Sequence, residues 1–434
     1  MAGESSINQD ILKKVYVDPV ENAVVSTNLV RNNIKFDSKS KTGEEYVGAV
    51  MLRRPMGFTF AGEDTMNTAF ALNGAIGGNT RKVTVKPSVI MLEDTIGLGF
   101  AASVQSEDQA FNPQLGLVIS SMVEAHDQMY ELNSLQGGQD LGIGNTSTGS
   151  TPVGVHQISK ASWSPHIWGP IEGCKLDAYS DSTLTTKVTT DGPAILSAVD
   201  ANTRTVTVTY ASASDYTAAN AAATGSGLYF TLFGAVGNIA IGMKTILTRS
   251  AAGATVFGVD CSQFAYMRAS SVAISGALTF EKVANAITMS AGKGGMGDFN
   301  VWLNLYSWTD VMNDQAGLRR YVSDQGGEFE NGADKLVYHG ANGGRLTFEC
   351  NPMLKAAEAM ILDYADWRTI GSTLPTFNLP GTGLEKPLLA YALPGNAGWG
   401  IRRFSQTGVY CSRLARQTLL TGIVNDSGPA GGGT

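Results

Sequence analysis

The sequence predicts an α+β protein with a small β domain inserted into it. Three observations lead to this fold class. Glycine is frequent, with 51 residues in 434, and glycine-rich turns separate many short apolar runs that alternate as strands do. One long amphipathic helix is predicted in the first third of the chain. The block from 166 to 276 has few helix signals, which sets it apart from the flanking segments.

The composition excludes several classes of protein. Hydrophobic residues make up 43% of the chain and charged residues only 16%, against about 25% charged residues in an average soluble protein. This balance argues against a disordered chain, a coiled coil and a basic nucleic-acid-binding protein. The net charge is −7, and arginines occur in isolated pairs such as Arg319-Arg320 and Arg402-Arg403 rather than in a basic patch.

The first 42 residues are predicted to be an extended arm. They are polar, and their apolar patches are short, as at Val15, Tyr16 and Val17. Such a segment cannot make a core of its own, so we expect something outside the chain's own core to hold it in place. It lacks the basic start and the apolar centre of a signal peptide, and synthesis in a cytosol is expected.

Residues 43–100 are predicted to form a long two-stranded excursion. Residues 44–60 read as extended chain, residues 81–89 alternate with period two, and a glycine-rich tip lies between them. Two strands alone bury little apolar surface. We therefore expect a neighbour to cover this excursion.

The clearest helix is predicted over residues 112–135. Asn112 suits the N-cap and Pro113 the first helical position, and Gly137-Gly138 should end the helix. An apolar stripe at helical spacing contains Leu115, Val118, Ile119, Met122, Ala125, Met129 and Leu132. At ~1.5 Å per residue the helix is about 36 Å long, and we interpret it as a structural spine. The Gly/Ser/Thr-rich residues 139–155 are predicted to be a loop.

The rest of the chain alternates strands with short helices. An apolar run at 228–247 is long enough to span a bilayer, but it contains Asn238 and Lys244, so we predict a strand, a turn and a second short segment. A helix is expected from Phe280, with Thr279 as its cap, and a short helix is expected to open at Ser307. Further strands are predicted at 335–339, 345–350 and 358–364.

No pattern of residues points to catalysis, a cofactor or a metal. The four histidines are far apart, and the four cysteines lack a CxxC pair, which indicates ordinary buried thiols. The glycine-rich run 291–298 fails as a phosphate-binding loop because Lys293 is followed by glycine and the run precedes a strand. No nucleophile, base and orienting partner are brought together.

The order of the parts resembles the major capsid proteins of tailed bacteriophages, which have the Hong Kong 97-like fold. The most specific stretch, Leu278–Asp314, looks like that family's helix, strand and following helix, and Gly332–Ile370 continues the similarity. By this resemblance the chain divides into an N-terminal arm at 1–42, an extended loop (E-loop) at 43–100, a peripheral domain at 101–165 with its spine helix at 112–135, an inserted β domain at 166–276, and the remainder of the peripheral domain with the axial domain at 277–434.

The resemblance implies a structural protein and not an enzyme. Copies of the chain would assemble, as hexamers and pentamers, into the icosahedral head shell of a tailed bacteriophage and enclose double-stranded DNA without sequence-specific binding. The virion would form in the bacterial host cytoplasm without a membrane, and portal, scaffolding and decoration proteins would be further partners. The candidate subunit-interface residues are Val15, Tyr16, Val17, Arg53, Arg54, Phe58, Phe60, Gly77, Gly78, Arg81 and Lys82.

Three alternatives stay open from the sequence. An encapsulin-type nanocompartment has the same fold, although such shells usually lack a large β insertion. A tail-tube or other virion β protein is the second alternative, and an unrecognised hydrolase with scattered catalytic residues is the third.

Overall fold

The computed structural model of the chain describes residues 28–38, 41–42, 44–63, 69–97, 111–316, 336–339, 343–377, 390–392 and 398–427. The helices are α1 (Leu29–Asn33), α2 (Phe111–Gln136), α3 (Pro165–Trp168), α4 (Ala213–Thr224), α5 (Met243–Ala251), α6 (Phe280–Ala291) and α7 (Leu305–Ala316). The strands are β1 (Lys35–Asp37), β2 (Lys41–Thr42), β3 (Glu45–Arg53), β4 (Asn79–Val85), β5 (Ser88–Gly97), β6 (Gly142–Ser150), β7 (Val153–Ile158), β8 (Lys175–Tyr179), β9 (Ala194–Asp200), β10 (Thr205–Thr209), β11 (Leu228–Leu232), β12 (Thr255–Val256), β13 (Val259–Asp260), β14 (Ser270–Ala273), β15 (Phe299–Leu303), β16 (Leu336–His339), β17 (Arg345–Cys350), β18 (Ala359–Leu362), β19 (Trp367–Thr376), β20 (Ala390–Ala392), β21 (Gly398–Cys411) and β22 (Thr418–Thr421).

Within these residues the strands form two large open sheets, one closed barrel and two small sheets. A five-stranded sheet has the order β1-β19-β21-β20, with β5 also paired to β21, and a six-stranded sheet has the order β14-β22-β18-β15-β17-β16. Strands β10-β7-β6-β11-β8-β9 close into a barrel. Two small sheets, β2-β3-β4 and β12-β13, complete the set. The predicted α+β class is confirmed.

The spine helix forms over the predicted residues, but it begins at Phe111, so Asn112 lies inside the helix and is not its cap. Helix α2 has 26 residues and lies on the five-stranded sheet, where Arg403 of β21 forms an ion pair with Asp127 (Nη2–Oδ1, 2.9 Å). Gly137 ends the helix with a φ of +62°, a left-handed conformation that favours glycine. A Cβ at Gly137 would lie 1.9 Å from the backbone nitrogen of Gly242, so the helix end and the segment before α5 meet backbone to backbone.

The inserted β structure is a closed barrel whose limits differ from the prediction. Its strands run from Gly142 to Leu232, whereas the sequence indicated a β block at 166–276 and a loop at 139–155. The segment read as a loop supplies β6 and β7. Its glycines face the barrel interior, where a Cβ on Gly142 would lie 2.9 Å from the Trp168 ring and one on Gly144 would lie 3.3 Å from the Phe230 ring. The glycines thus make room for large aromatic side chains.

The chain returns to the body directly after the barrel. The apolar run at 228–247 forms β11, a turn and the start of α5, as predicted. No helix in the described part of the chain is long and apolar enough to cross a membrane. Strand β14 then pairs in parallel with β22, which places residues 270–273 in the six-stranded sheet and outside the barrel.

A buried group of charges holds both ends of the barrel segment to the body. Asp140, just before β6, pairs with Lys355, and Lys244 of α5 pairs with Glu358. Lys355 is 2% exposed, and burial together with the neighbouring Lys244 lowers its pKa. Both pairs meet on the loop between β17 and β18, so this loop joins the barrel segment to the six-stranded sheet.

The helices beside the six-stranded sheet are capped by polar side chains. Thr279 accepts the Lys282 N–H (3.4 Å) at the start of α6, as predicted. Helix α7 begins at Leu305, earlier than the expected opening at Ser307, because the Asn304 side chain accepts the Tyr306 N–H (3.0 Å). Ser307 instead donates a hydrogen bond to Asn425 Oδ1 (2.8 Å).

Part of the predicted arm belongs to the core. Strand β1 pairs in parallel with β19, and Val30 and Ile34 are 0% and 4% exposed within the largest apolar cluster. The expectation that something outside the chain's own core holds the arm is therefore wrong for residues 29–37. Val15, Tyr16 and Val17 lie outside the described residues.

Candidate functional site

The predicted excursion has two parts with different surroundings. Strands β3 and β4 pair from Tyr46↔Val85 to Arg53↔Asn79, as predicted. The inner face of this hairpin is buried in the chain's own core, with Leu52 4%, Val83 0% and Val85 5% exposed. The hairpin therefore needs no neighbour to cover that face. The described residues of the segment beyond it, 54–78, do not pack in this way, and we call this segment the apolar loop.

The apolar loop exposes large hydrophobic side chains. Six of them are between 47% and 90% exposed: Met56, Phe58, Phe60, Phe70, Leu72 and Ile76. Exposed apolar residues that occur singly need no explanation, but a contiguous group of this kind marks an interaction surface. Phe58 and Phe60, predicted as interface residues, are 64% and 90% exposed.

Hydrogen bonds hold the two limbs of the apolar loop together. The Met56 N–H donates to the Ile76 carbonyl oxygen (3.1 Å). Farther out, the Asn73 N–H donates to Thr59 Oγ1 (2.8 Å) and the Asn73 side-chain amide donates to the Phe58 carbonyl oxygen (2.9 Å). These hydrogen bonds fix the two limbs relative to each other, so the aromatic side chains have defined positions.

The two predicted glycines of the loop do different things. A Cβ at Gly77 would meet no atom within 4 Å, whereas a Cβ at Gly78 would lie 2.9 Å from the carbonyl oxygen of Arg53. Gly78 is required where the limbs join the hairpin. Gly77 has room for a side chain.

The four predicted cationic residues fall into two pairs. Arg81 and Lys82 are exposed on β4, opposite Val50 and Ala49 of β3. Arg53 and Arg54 instead line a cleft of about 490 Å³ between the hairpin and the body. Whether any of these side chains contacts a second copy of the chain stays a prediction.

The cleft contains residues that the sequence did not indicate. We call it the cationic cleft, and its lining includes Arg53, Arg54, Tyr266, Lys293, Arg413 and Arg416. These residues come from four distant parts of the chain. No local pattern in the sequence could have brought them together, and Lys293 was considered only as part of a glycine-rich run.

The described end of the arm is fastened to the spine helix by buried polar groups. Glu131 is 0% exposed, and its Oε1 accepts the Val30 N–H of α1 (2.7 Å). Arg31 of α1 forms an ion pair with Asp127, which also binds Arg403. Burial raises the pKa of Glu131 to about 7. Residues 30 and 31 of the arm are therefore fixed to α2 by a hydrogen bond and an ion pair.

The histidines and cysteines have structural surroundings. Burial lowers the pKa of His126 to about 4 and that of His156 to about 4, so both rings are neutral at pH 7. His156 is hydrogen bonded to Tyr210 Oη (Nε2–Oη, 2.7 Å) inside the barrel. The four cysteines have free thiols, and the described residues contain no group of three or more His, Cys, Asp and Glu side chains that could hold a metal ion.

Comparisons with known proteins find the likeness in structure and not in sequence. No protein-family model and no curated protein matches the chain. The capsid of the native GTA particle aligns over 96% of this chain and 97% of its own with a TM-score of 0.50 and 11% identity. The capsid protein of Cyanophage A-1(L) aligns over 96% and 98% with a TM-score of 0.50 and 10% identity. The SrpI encapsulin of Synechococcus elongatus PCC 7942 covers 98% of both chains with a TM-score of 0.41 and 7% identity. The two capsid alignments confirm the fold predicted from the order of elements.

Proposed function

We propose that this chain, which has the Hong Kong 97-like fold of tailed-phage major capsid proteins, is the subunit of a closed icosahedral head shell around double-stranded DNA. The apolar loop is the observation that carries the proposal. Its six large hydrophobic side chains project from a hairpin that is anchored on the chain's own core. A group of exposed apolar side chains of this kind marks a surface to which another molecule binds.

A shell of identical subunits explains why the surface is on a projecting ribbon. Contacts that are not two-fold symmetric join one face of a subunit to a different face of the next, and the assembly closes when the rotations close. Burying one large apolar side chain stabilises a contact by roughly 1.5–3 kcal/mol. Six such side chains supply on the order of 10 kcal/mol before the entropic cost of association is subtracted.

The composition is consistent with a container rather than a DNA-binding protein or an enzyme. A chain of net charge −7 would enclose DNA without adsorbing it through its phosphates. The role is structural, without a cofactor, and the partners are further copies arranged as pentamers and hexamers, together with portal, scaffolding and decoration proteins. The site of action is the virion, which is assembled in the cytoplasm of the bacterial host.

Electron microscopy of the purified chain tests the proposal. We expect closed particles from the unaltered chain and a folded, unassembled subunit from the triple variant Phe58→Ser, Phe60→Ser, Leu72→Ser. The matched control Phe58→Leu, Phe60→Leu, Leu72→Met keeps the loop apolar and should still assemble. A monomer at high concentration from the unaltered chain would overturn the proposal. Particles that contain a protein cargo and no nucleic acid would instead indicate an encapsulin-type compartment.

A further inference from the structure

The cationic cleft carries an excess of positive charge that the described residues do not neutralise. Arg53, Arg54, Lys293, Arg413 and Arg416 line it, and no acidic residue is among its described lining. Arg53 and Arg54 are exposed, and neither is paired with a carboxylate in the described part of the chain. Uncompensated cations around one cavity indicate an anionic ligand.

Two of the lining arginines are paired with carboxylates behind the cleft, where Asp363 binds Arg416 (2.6 Å) and Asp366 binds Arg413 (2.6 Å). The excess of positive charge therefore comes from Arg53, Arg54 and Lys293. The Nε atom of Arg416 is buried without an acceptor among the described residues. Lys293 donates to the Arg268 carbonyl oxygen (2.9 Å), and burial and the positive Arg268 lower its pKa.

Apolar side chains lie beside the arginines of the cleft, so the ligand is expected to have an apolar part as well as a negative charge. Met51 is 63% exposed and Tyr266 is 64% exposed, and both line the cleft beside the arginines. A carboxylate on a segment with aromatic residues would satisfy both features, because cations and rings attract each other and apolar surfaces pack. A bare phosphate backbone would satisfy only the charges.

The apolar loop itself has this chemistry. Glu63 is exposed, it follows Phe58 and Phe60 in the same limb, and it forms no ion pair with any described residue. Over residues 53–78, Arg53 and Arg54 are the basic residues and Glu63 and Asp64 are the acidic ones. This part of the chain is therefore cationic where it joins the hairpin and acidic farther out.

Glu63 does not line the cleft of its own copy. The limbs are joined at Met56–Ile76 and at Thr59–Asn73, so the limb that bears Glu63 leads away from the hairpin. Nine residues separate Glu63 from Arg54, and a chain of this length spans about 30 Å at most. A head-to-tail contact between copies is the arrangement that brings acid and base together.

We propose that the cationic cleft is the docking site for residues 58–63 of a second copy, with Glu63 beside Arg53 and Arg54 and the phenylalanines against Met51 and Tyr266. The inference rests on the proposed function, because it names the partner surface of the apolar loop. The contact would be between Glu63 of one copy and the two arginines, Arg53 and Arg54, of the next copy. Each copy would then give its loop to one neighbour and its cleft to another.

Charge reversal tests the pairing. The critical concentration for assembly should rise at least about tenfold, equivalent to ~1.4 kcal/mol, for Glu63→Arg and for Arg53→Glu with Arg54→Glu. Combining all three substitutions in one chain should recover most of the loss. The control Lys175→Glu with Arg249→Glu reverses two exposed charges outside the cleft and outside the predicted interface residues, and combined with Glu63→Arg it should recover nothing. Circular dichroism and gel filtration of each subunit check that the variants fold.

A second measurement does not depend on assembly yield. In particles of the Arg54→Lys variant, a carbodiimide should couple the introduced amine to the Glu63 carboxylate of another copy, and peptide mass spectrometry should find this link in particles and not in free subunits. If the unaltered chain does not assemble, the proposed function fails. If it assembles but both charge variants assemble equally well, or the combination recovers nothing, the docking site alone is refuted. Normal particles of the arginine variant that hold less nucleic acid would assign the cleft to phosphate instead.

Discussion

Replacing Glu131 with glutamine should make the stability of the subunit less dependent on pH. Glu131 is fully buried between α2 and α1, and its pKa is raised from 4.5 to about 7 by burial. Because the folded state keeps this proton to a higher pH than the unfolded state does, the stabilisation is present below about 4.5 and is lost as the pH rises through 7. At 1.36 kcal/mol per unit the full loss is about 3 kcal/mol.

The measurement is urea unfolding of the unassembled subunit, followed by tryptophan fluorescence between pH 5 and pH 8. The assembly-deficient Phe58→Ser, Phe60→Ser, Leu72→Ser chain is the background, so that dissociation of particles does not contribute. Glutamine keeps an oxygen for the Val30 N–H and cannot ionise. The free energy of unfolding of Glu131→Gln minus that of its parent should rise by about 2.5 kcal/mol from pH 5 to pH 8, because a small part of the full loss has already occurred at pH 5.

Taking this difference removes the contributions of the other titrating groups. His126 and His156, whose pKa values burial lowers to about 4, destabilise both chains equally as the pH falls below 6.5. Val30→Ala is a useful control, because it removes packing under α1 and should lower stability by the same amount at every pH. A difference between Glu131→Gln and its parent that is constant from pH 5 to pH 8 would refute the reasoning.

Two further predictions concern packing and buried charge. Gly78→Ala should weaken hydrogen-exchange protection of the adjoining hairpin amides by about tenfold, since its Cβ would lie 2.9 Å from the Arg53 carbonyl oxygen. The control Gly77→Ala should leave protection unchanged, because a Cβ there meets no atom within 4 Å. Equal effects of the two substitutions would contradict this prediction. Lys355→Met should lower the free energy of unfolding by about 3–5 kcal/mol, because it leaves Asp140 without its buried partner, and a loss below about 1 kcal/mol would show that the charges are solvated.

The elements that the sequence predicted well have local signals. Helix α6 has its cap at Thr279 and its stop at Gly292, and α2 has an apolar stripe that closes with Gly137. The hairpin of β3 and β4 could be predicted because residues 44–60 have the pattern of extended chain, residues 81–89 alternate between apolar and polar, and a glycine-rich segment separates the two. In each case the signal lies within a few residues of the structure that it predicts.

The features that the sequence did not predict depend on contacts between distant residues. The glycine-rich sequence of β6 is typical of a loop. Its glycines belong to a strand because the rings of Trp168 and Phe230 occupy the space where their side chains would be. In the sequence Val30 is one of several scattered apolar residues of the arm. Its hydrogen bond to Glu131 joins residues 101 positions apart, so no local pattern indicates it. The cationic cleft joins residues near 53, 266, 293 and 413, so its charge excess is a property of the fold and not of any segment.

The place where the barrel leaves the body has an evolutionary consequence. The chain enters the barrel beside Gly137 and returns at Gly242, and these two backbones touch. An insertion with adjacent ends adds a domain without moving the elements on either side of it. Two junctions, one after Gly137 and one before Gly242, would therefore suffice to exchange the barrel for another module, and joining the two residues would delete it while the spine helix still ends beside α5.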